Sequence, residues 1–169
     1  MRNRVIWSCV YLLALPALFA DSGGGGGGGG SGGGGGQSSL PAPATYQSWY
    51  NQGYQAAKGG KFDEAVKDFN EALKLRPNYP EALNMEGYSL RKSGNLSQAF
   101  SYYDQALSLR PNFPDAREYY GEACLQAGDL KKAVQQYLIL QKTGTRQAKE
   151  LLAWIDAYVN DKTPPAEDL

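Results

Sequence analysis

The chain has 169 residues, of which 17 are basic and 17 acidic, and it contains no histidine. Balanced charge argues against a nucleic-acid partner, because phosphate backbones are bound by clustered Lys and Arg. The lack of histidine removes the commonest general base and a common metal ligand. We therefore predict a protein that is not an enzyme and holds no cofactor or metal.

The first twenty residues are predicted to be a secretory signal peptide. Arg2 and Arg4 precede an apolar run over residues 5–20 that ends at Ala20, a pattern typical of secretory signals. The run is shorter than the roughly 20 residues that a membrane-spanning helix needs. We expect cleavage after Ala20 and export to the periplasm or the exterior. The alternative is that residues 5–20 are not cleaved and stay as a membrane anchor. We expect contact with a membrane only in that case.

A glycine-rich segment follows the predicted signal. Residues 23–36 are all glycine except Ser31, and such a sequence buries too little apolar area to offset the entropy cost of ordering. We predict a disordered linker over residues 21–45 that tethers the folded part. Neutral low-complexity expansion explains the tract equally well. Residues 160–169 are predicted to be a flexible tail.

The rest of the chain repeats itself every 34 residues. The segments LRPNYPEA (75–82) and LRPNFPDA (109–116) are related by this offset. The same offset relates four further sets, which are Gly53, Gly87 and Gly121; Gly60, Gly94 and Gly128; Ala65, Ala99 and Ala133; and Phe69, Tyr103 and Tyr137. A period of this length indicates a repeat protein made of helical hairpins.

Each recurring residue type has a physical role in a helix pair. Glycine inside a helix costs roughly 1 kcal/mol relative to alanine, so the recurring Gly53, Gly87 and Gly121 imply close approach of a second helix. We expect the facing residues to be the small alanines Ala65, Ala99 and Ala133. Gly60 and its equivalents should end the first helix of each pair, and Asn95 and Asp129 should cap the second. Pro80 and Pro114 suit the first turn of a helix.

These signals predict seven helices and no strand. The pairs are 46–58 with 62–75, 80–92 with 96–109, and 114–126 with 130–142, followed by a last helix over 146–159. The repeats are 46–79, 80–113 and 114–147, and the whole domain spans 46–159. Ala148, Leu151, Leu152, Ile155 and Val159 form an apolar stripe on the last helix, which is typical of a capping helix that covers the end of a solenoid.

The pattern resembles the tetratricopeptide repeat family. The first repeat carries the most signature residues, namely Trp49, Gly53, Ala65, Phe69, Ala72 and Pro77. The third repeat departs from the pattern with Arg117, Leu140 and Thr145. The resemblance implies an all-α, right-handed α-solenoid of three helix hairpins plus a C-terminal capping helix.

The resemblance also implies a binding site. In this family the first helices of the pairs line a concave groove that holds peptides or partner helices. The corresponding residues here are Gln47, Tyr50, Tyr54, Glu81, Asn84, Tyr88, Arg91, Asp115, Glu118 and Glu122. Their aromatic and acidic character favours a ligand with an apolar or proline-rich portion and some basic residues. The alternative is that the tyrosines only pack between repeats and the carboxylates form an ordinary solvated surface.

One ligand class is disfavoured. Family members that bind chaperone tails clamp a terminal carboxylate with Lys, Asn and Arg, and the corresponding places here hold Tyr50, Tyr54, Met85, Asp115 and Tyr119. None of these side chains is a cation, and Asp115 would repel a carboxylate.

The resulting hypothesis is a non-catalytic scaffold that binds a peptide or protein partner in the groove, outside the cytoplasm. The alternative is a tethered structural module that self-associates as a homodimer through Trp154 and Tyr158. Those two aromatic residues also fit half-buried positions on the capping helix. Cys124 lies on a predicted packing face, so we expect a buried side chain rather than a reactive thiol.

Overall fold

The computed structural model describes residues 44–162, and this part of the chain is built from helices alone. The helices are α1 (Tyr46–Lys58), α2 (Phe62–Leu75), α3 (Pro80–Lys92), α4 (Leu96–Leu109), α5 (Pro114–Gln126), α6 (Leu130–Gln141) and α7 (Arg146–Val159). Every helix begins and ends within one residue of its predicted bounds. The predicted all-α fold of three hairpins and a final helix is confirmed. The predicted signal peptide, the linker up to residue 43 and the tail from residue 163 lie outside the described residues.

Glycine turns connect the two helices of each pair. Gly60, Gly94 and Gly128 have φ angles of 72°, 84° and 81°, in the left-handed region that side chains with a Cβ disfavour. The residue after each glycine donates its backbone N–H to a carbonyl five residues earlier, as from Asn95 to Leu90 at 2.8 Å. This bond closes the helix end and satisfies a carbonyl that would otherwise lack a partner.

The helix starts follow the predictions with one exception. Pro80 and Pro114 lie at the first turn of α3 and α5, where a missing N–H costs nothing. Asp129 caps α6 by accepting the backbone N–H of Lys132 at 3.0 Å. The prediction for Asn95 is wrong, because its side chain donates to Gln98 at 3.0 Å and makes no cap hydrogen bond.

Thr45, at the end of the predicted linker, caps α1. Its hydroxyl accepts the Ser48 backbone N–H at 3.1 Å, while the Ser48 hydroxyl accepts the Thr45 N–H at 2.9 Å, which forms a reciprocal capping box. At the other end of the domain, Lys162 donates its backbone N–H to Ala157 at 2.9 Å. The first residues of the predicted tail are therefore hydrogen-bonded to the end of α7.

The hairpins meet at the recurring glycines, but the expected partners are wrong. A Cβ built on Gly53 would lie 2.8 Å from Cε1 of Phe69, and one on Gly87 would lie 2.8 Å from Cε1 of Tyr103. The glycines therefore make room for aromatic rings of the second helix rather than for Ala65 and Ala99. Ala65 and Ala99 are fully buried next to these rings. Each alanine precedes its ring by four residues, so both lie on the same side of the second helix.

The third hairpin is packed differently. A Cβ on Gly121 would lie 2.6 Å from Cδ2 of Leu151 on α7, and the equivalent aromatic residue, Tyr137, is only half-buried. Arg117 stands at the signature tryptophan position, and its guanidinium donates to the Pro111 carbonyl at 2.7 Å. The helix α7 thus packs on both α5 and α6 and completes the core of the third repeat.

Three other predictions about side chains concern this end of the domain. Trp154 and Tyr158 are half-buried and pack against the cluster that contains Cys124, Leu140 and Leu151. Cys124 is fully buried, as expected. Burial, followed by the nearby charge of Asp129, raises the pKa of its thiol to about 12.

Candidate functional site

The first helices α1, α3 and α5 carry the ten predicted groove residues on one side. Helical spacing of three or four residues places them along a common strip of each helix. We call this surface the inner face and define it as Gln47, Tyr50, Tyr54, Glu81, Asn84, Tyr88, Arg91, Asp115, Glu118 and Glu122. Five of the ten are buried, namely Asn84, Tyr88, Arg91, Glu118 and Glu122. The accessible part of the inner face is therefore smaller than the sequence suggested.

The α1 part of the inner face is aromatic and partly open. Gln47 is exposed, and Tyr50 and Tyr54 are half-buried with their rings stacked at 6.3 Å between centroids. The Tyr50 ring also touches the rings of Phe69 and Tyr79, at 5.7 Å and 5.2 Å. Burial, followed by the neighbouring Tyr79, raises the pKa of the Tyr50 hydroxyl to about 12. This hydroxyl is neutral and available as a donor at any physiological pH.

The α3 part of the inner face is closed by contacts with its neighbours. The Tyr88 ring lies 5.1 Å from that of Tyr119 on α5, and the Arg91 guanidinium lies 5.3 Å from the Tyr88 ring. Asn84 is only 3% exposed, and its side-chain oxygen has no hydrogen-bond partner. Tyr88 therefore packs between the second and third repeats, which agrees with the alternative that the tyrosines serve packing rather than ligand binding.

A buried ion pair joins α3 to α5. Arg91 Nη2 lies 2.8 Å from Glu122 Oε2, and the two side chains are 0% and 1% exposed. Two charges taken out of water are tolerated only when they are paired and hydrogen-bonded. This cation and this carboxylate thus neutralise each other inside the protein.

The remaining acidic residues of α5 face α7. Gln147 donates to the Asp115 carboxylate at 2.6 Å. Arg146 Nη1 lies 2.5 Å from Glu150 Oε1. Burial is the main cause that raises the pKa of Glu118, and the neighbouring carboxyl groups of Glu150 and Glu122 add to it. This environment favours the protonated form of Glu118 over the ionised one.

Glu81, at the start of α3, forms an ion pair outside the core. Arg110 Nη2 donates to Glu81 Oε1 at 2.6 Å, and both side chains are partly exposed. The Arg110 guanidinium also lies 4.7 Å from the Phe113 ring. Glu81 keeps further acceptor capacity toward solvent, since a carboxylate accepts several hydrogen bonds.

The sequence did not reveal the part that α7 plays at this site. The 34-residue period predicted α7 as a covering helix, but nothing in that period indicates that Gln147 on α7 donates to Asp115 on α5. A weak signal existed in Gln147 and Glu150, two polar residues three apart that flank the apolar stripe at Ala148 and Leu151. Polar residues beside an apolar stripe are common on any helix, so this pattern alone selects no partner.

The five positions compared with a carboxylate clamp hold no cation in the structure either. Met85 is buried, and Tyr50 and Tyr54 lie in the aromatic contacts described above. Burial raises the pKa of Tyr119 far above its usual range, and the charge of Glu118 adds to this effect. These surroundings favour neutral and cationic groups over a ligand carboxylate.

The rest of residues 44–162 offers an open depression but no metal cluster. No group of three or more His, Cys, Asp or Glu side chains there is placed to hold a metal ion. None of the seven helices is both long and apolar enough to cross a bilayer. An open depression of about 570 Å³ lies along α1 and α2, lined by residues such as Gln52, Gln55 and Asp68. It includes none of the inner-face residues.

Solved structures with the same architecture are numerous. The chain superposes on the first tetratricopeptide repeat domain of Spaghetti (RPAP3) bound to the HSP90 peptide SRMEEVD, with a TM-score of 0.61 and 19% identity over 69% of this chain and 94% of that one. The tetratricopeptide repeat domain of Sgt2 from Aspergillus fumigatus superposes with a TM-score of 0.61 and 22% identity, over 80% of this chain and 94% of that one. The type III secretion translocator chaperone SycD of Yersinia enterocolitica superposes with a TM-score of 0.60 and 19% identity, over 69% of this chain and 89% of that one. At these identities the likeness shows the fold.

The sequence itself carries the family pattern. The tetratricopeptide repeat family matches residues 38–80, 50–112 and 84–148, which together cover more than half of the 169 residues. No curated protein sequence matches the chain significantly. Because the family match spans residues 38–148, the chain belongs to the tetratricopeptide repeat family.

Proposed function

We propose that this protein is a non-catalytic interaction module that binds a peptide or partner protein on its inner face, outside the cytoplasm. The observation that carries the proposal is the half-exposed, stacked pair Tyr50 and Tyr54 on α1. Tyrosines offer large, rigid contact area with a polar tip, and they are enriched at recognition surfaces. The similar domain of Spaghetti (RPAP3) was solved with a bound peptide, which supports the same use of this fold.

The proposed ligand has an apolar or proline-rich portion and some basic residues. The apolar portion would pack on Tyr50 and Tyr54, where aromatic rings are already aligned. The basic residues would approach Glu81 and Asp115, the two partly exposed carboxylates of the inner face. A terminal carboxylate is not the proposed anchor, because the five clamp positions present no cation.

A selection from a random peptide library on phage tests the proposal. Peptides are selected on the purified protein that starts at Asp21, and their affinities are measured by fluorescence polarisation. We expect enrichment of Pro or aromatic residues together with Lys or Arg. Tyr54→Ala should weaken the selected peptides at least about fivefold, the loss expected for one aromatic anchor.

Tyr137→Ala is the matched control, since Tyr137 is also half-buried but lies on α6, away from the inner face. It should leave the affinities unchanged. Equal losses in the two variants, or peptides that bind Tyr54→Ala as well as wild type, would contradict binding at the inner face.

The proposed location rests on the basic and apolar start of the sequence. Expression in a bacterium with an intact export system, followed by intact mass analysis of the periplasmic fraction, tests it. A mass that corresponds to an N-terminus at Asp21 is expected. Full-length protein in the membrane fraction would favour the anchor instead.

Self-association remains the alternative function, and exposed apolar residues on α7 favour it. Leu152 and Val159 are 45% and 58% exposed, beside the half-buried Trp154 and Tyr158. Sedimentation equilibrium at high protein concentration distinguishes the two functions. A dimer that dissociates in Leu152→Asp would support self-association, and a monomer at every concentration would remove it.

A further inference from the structure

Arg76 lies against two tyrosine rings at the point where α2 ends. Its guanidinium carbon is 4.9 Å from the ring centroid of Tyr46 and 4.9 Å from that of Tyr79. The two rings contact each other edge to face at 5.3 Å between centroids. Because a cation is attracted to the face of an aromatic ring, these contacts restrict the Arg76 side chain, although the residue is exposed.

The equivalent arginine of the second repeat has a carboxylate partner. Arg110 lies 34 residues after Arg76, and its guanidinium is 4.7 Å from the ring of Phe113, the equivalent of Tyr79. Arg110 also donates to Glu81 at 2.6 Å. The backbone is nearly the same at both arginines, with φ and ψ of −142° and 84° at Arg76 and −136° and 86° at Arg110. The two positions are therefore built alike.

The first repeat has an amide where the second repeat has a carboxylate. The residue 34 before Glu81 is Gln47, and α1 contains no Asp or Glu. Within residues 44–162, no carboxylate pairs with Arg76. A guanidinium presents five N–H donors in a planar fork that matches a carboxylate. Arg76 therefore keeps donors that Arg110 directs to Glu81.

This cation adjoins the aromatic pair on α1. The Tyr79 ring, on which Arg76 lies, is 5.2 Å from the ring of Tyr50, and Tyr50 stacks on Tyr54. The guanidinium is thus separated from Tyr50 by a single ring. An extended peptide advances about 3.3–3.6 Å per residue, so a side chain about three residues from one packed on Tyr50 reaches Arg76.

We propose that Arg76 binds the carboxylate of an Asp or Glu side chain in the partner, next to the portion that packs on Tyr50 and Tyr54. This inference rests on the proposed function of the inner face and adds an acidic residue to the ligand. The acidic residue lies at the α1 end, whereas the basic residues approach Glu81 and Asp115 on α3 and α5. The order of charges along the partner therefore determines the direction in which it crosses the helices.

The phage selection tests the role of Arg76 when it is repeated on Arg76→Gln. Displayed peptides are joined to the coat protein through their C-termini, so only side-chain carboxylates contact Arg76. We expect wild type to enrich Asp or Glu close to the Pro or aromatic residues. On Arg76→Gln the acidic enrichment should disappear while the Pro or aromatic enrichment persists. Lys74→Gln, which removes a positive charge from the last turn of the same helix, should select the same peptides as wild type.

Synthetic peptides from the wild-type selection measure the contact itself. Replacing their acidic residue with the corresponding amide should weaken binding to wild type by up to about fivefold, as is typical of partly exposed ion pairs. The same replacement should leave binding to Arg76→Gln unchanged. Gln47→Glu should weaken the acidic peptides similarly, because it gives Arg76 the internal partner that Arg110 has in Glu81. The losses should shrink at about 0.5 M NaCl, where exposed charges are screened.

Two outcomes overturn the proposal and leave the proposed function standing. They are Pro or aromatic enrichment without acidic residues, and acidic enrichment that persists on Arg76→Gln. A wild-type selection that enriches no peptide overturns the proposed function and this inference together. If Arg76→Gln fails to fold, acidic peptides that bind Gln47→Glu as tightly as wild type overturn the proposal equally.

Discussion

Leu151 of α7 occupies the space that Gly121 leaves open on α5, a place that a ring of the second helix fills in the first two repeats. A Cβ on Gly121 would lie 2.6 Å from Cδ2 of Leu151, and Leu151 is fully buried. The third hairpin therefore depends on a residue outside its own repeat. The capping helix α7 is therefore part of the hydrophobic core of the third repeat.

A double-mutant cycle measures this contact. Gly121→Ala should destabilise the protein by about 1–3 kcal/mol, because the added methyl overpacks the space that the fully buried Leu151 fills. In the background of Leu151→Ala the same change should be neutral or stabilising by up to about 1 kcal/mol, since alanine then fills vacated space and favours the helix. Urea unfolding gives each free energy. Gly87→Ala is the control, and Leu151→Ala should not rescue it because Gly87 meets Tyr103.

The buried pair Arg91 and Glu122 should be sensitive to loss of one partner. Glu122→Gln removes the carboxylate that lies 2.8 Å from Arg91, and a buried charge without its counter-ion typically costs about 3–5 kcal/mol. Breaking the partly exposed pair of Glu81 and Arg110 by Glu81→Gln should cost less than about 1 kcal/mol. Chemical unfolding of both variants checks the contrast, and equal costs would contradict it.

Glu86 predicts that the stability of the protein depends on pH. Its carboxyl is 1% exposed and accepts a hydrogen bond from Asn70 at 2.6 Å. Burial raises its pKa to about 7, although hydrogen bonds to Tyr102 and Asn70 act in the opposite direction. The stability contributed by protonated Glu86 is fully present below pH 4.5 and is lost as the pH rises through 7.

Comparison of wild type with Glu86→Gln isolates this effect. The difference in unfolding free energy, wild type minus variant, should fall between pH 4.5 and 7 by up to about 1.4 kcal/mol per pH unit. Above pH 7 the difference in unfolding free energy should stay constant. Denaturant titrations at four pH values measure it, and a difference that rises with pH would contradict the assignment.

Cys124 should resist modification in the native state. It is fully buried, and its pKa is raised to about 12, so the reactive thiolate is both inaccessible and scarce. In the form that begins at Asp21, Cys124 is the one thiol. N-ethylmaleimide should leave the intact mass of the folded protein unchanged over minutes and add one adduct in denaturant. Rapid native labelling would mean that α5 opens readily.

The sequence by itself determined the number, length and order of the helices. Gly60, Gly94 and Gly128 mark the ends of first helices because their left-handed φ angles are a local requirement. Pro80 and Pro114 mark helix starts for an equally local reason. The 34-residue recurrence also identified Gly53 and Gly87 as close-approach positions, although it did not identify the rings that approach them.

Only the tertiary structure decided which inner-face residues stay accessible. Arg91 pairs with Glu122, and Gln147 donates to Asp115, across helices whose separation and rotation no periodicity specifies. Leu151 reaches Gly121 for the same reason. A repeat pattern shows which residue types recur at equivalent positions from one repeat to the next. Contacts between helices depend on how side chains of different sizes pack, and a departure such as Arg117 or Leu140 changes that packing without changing the period.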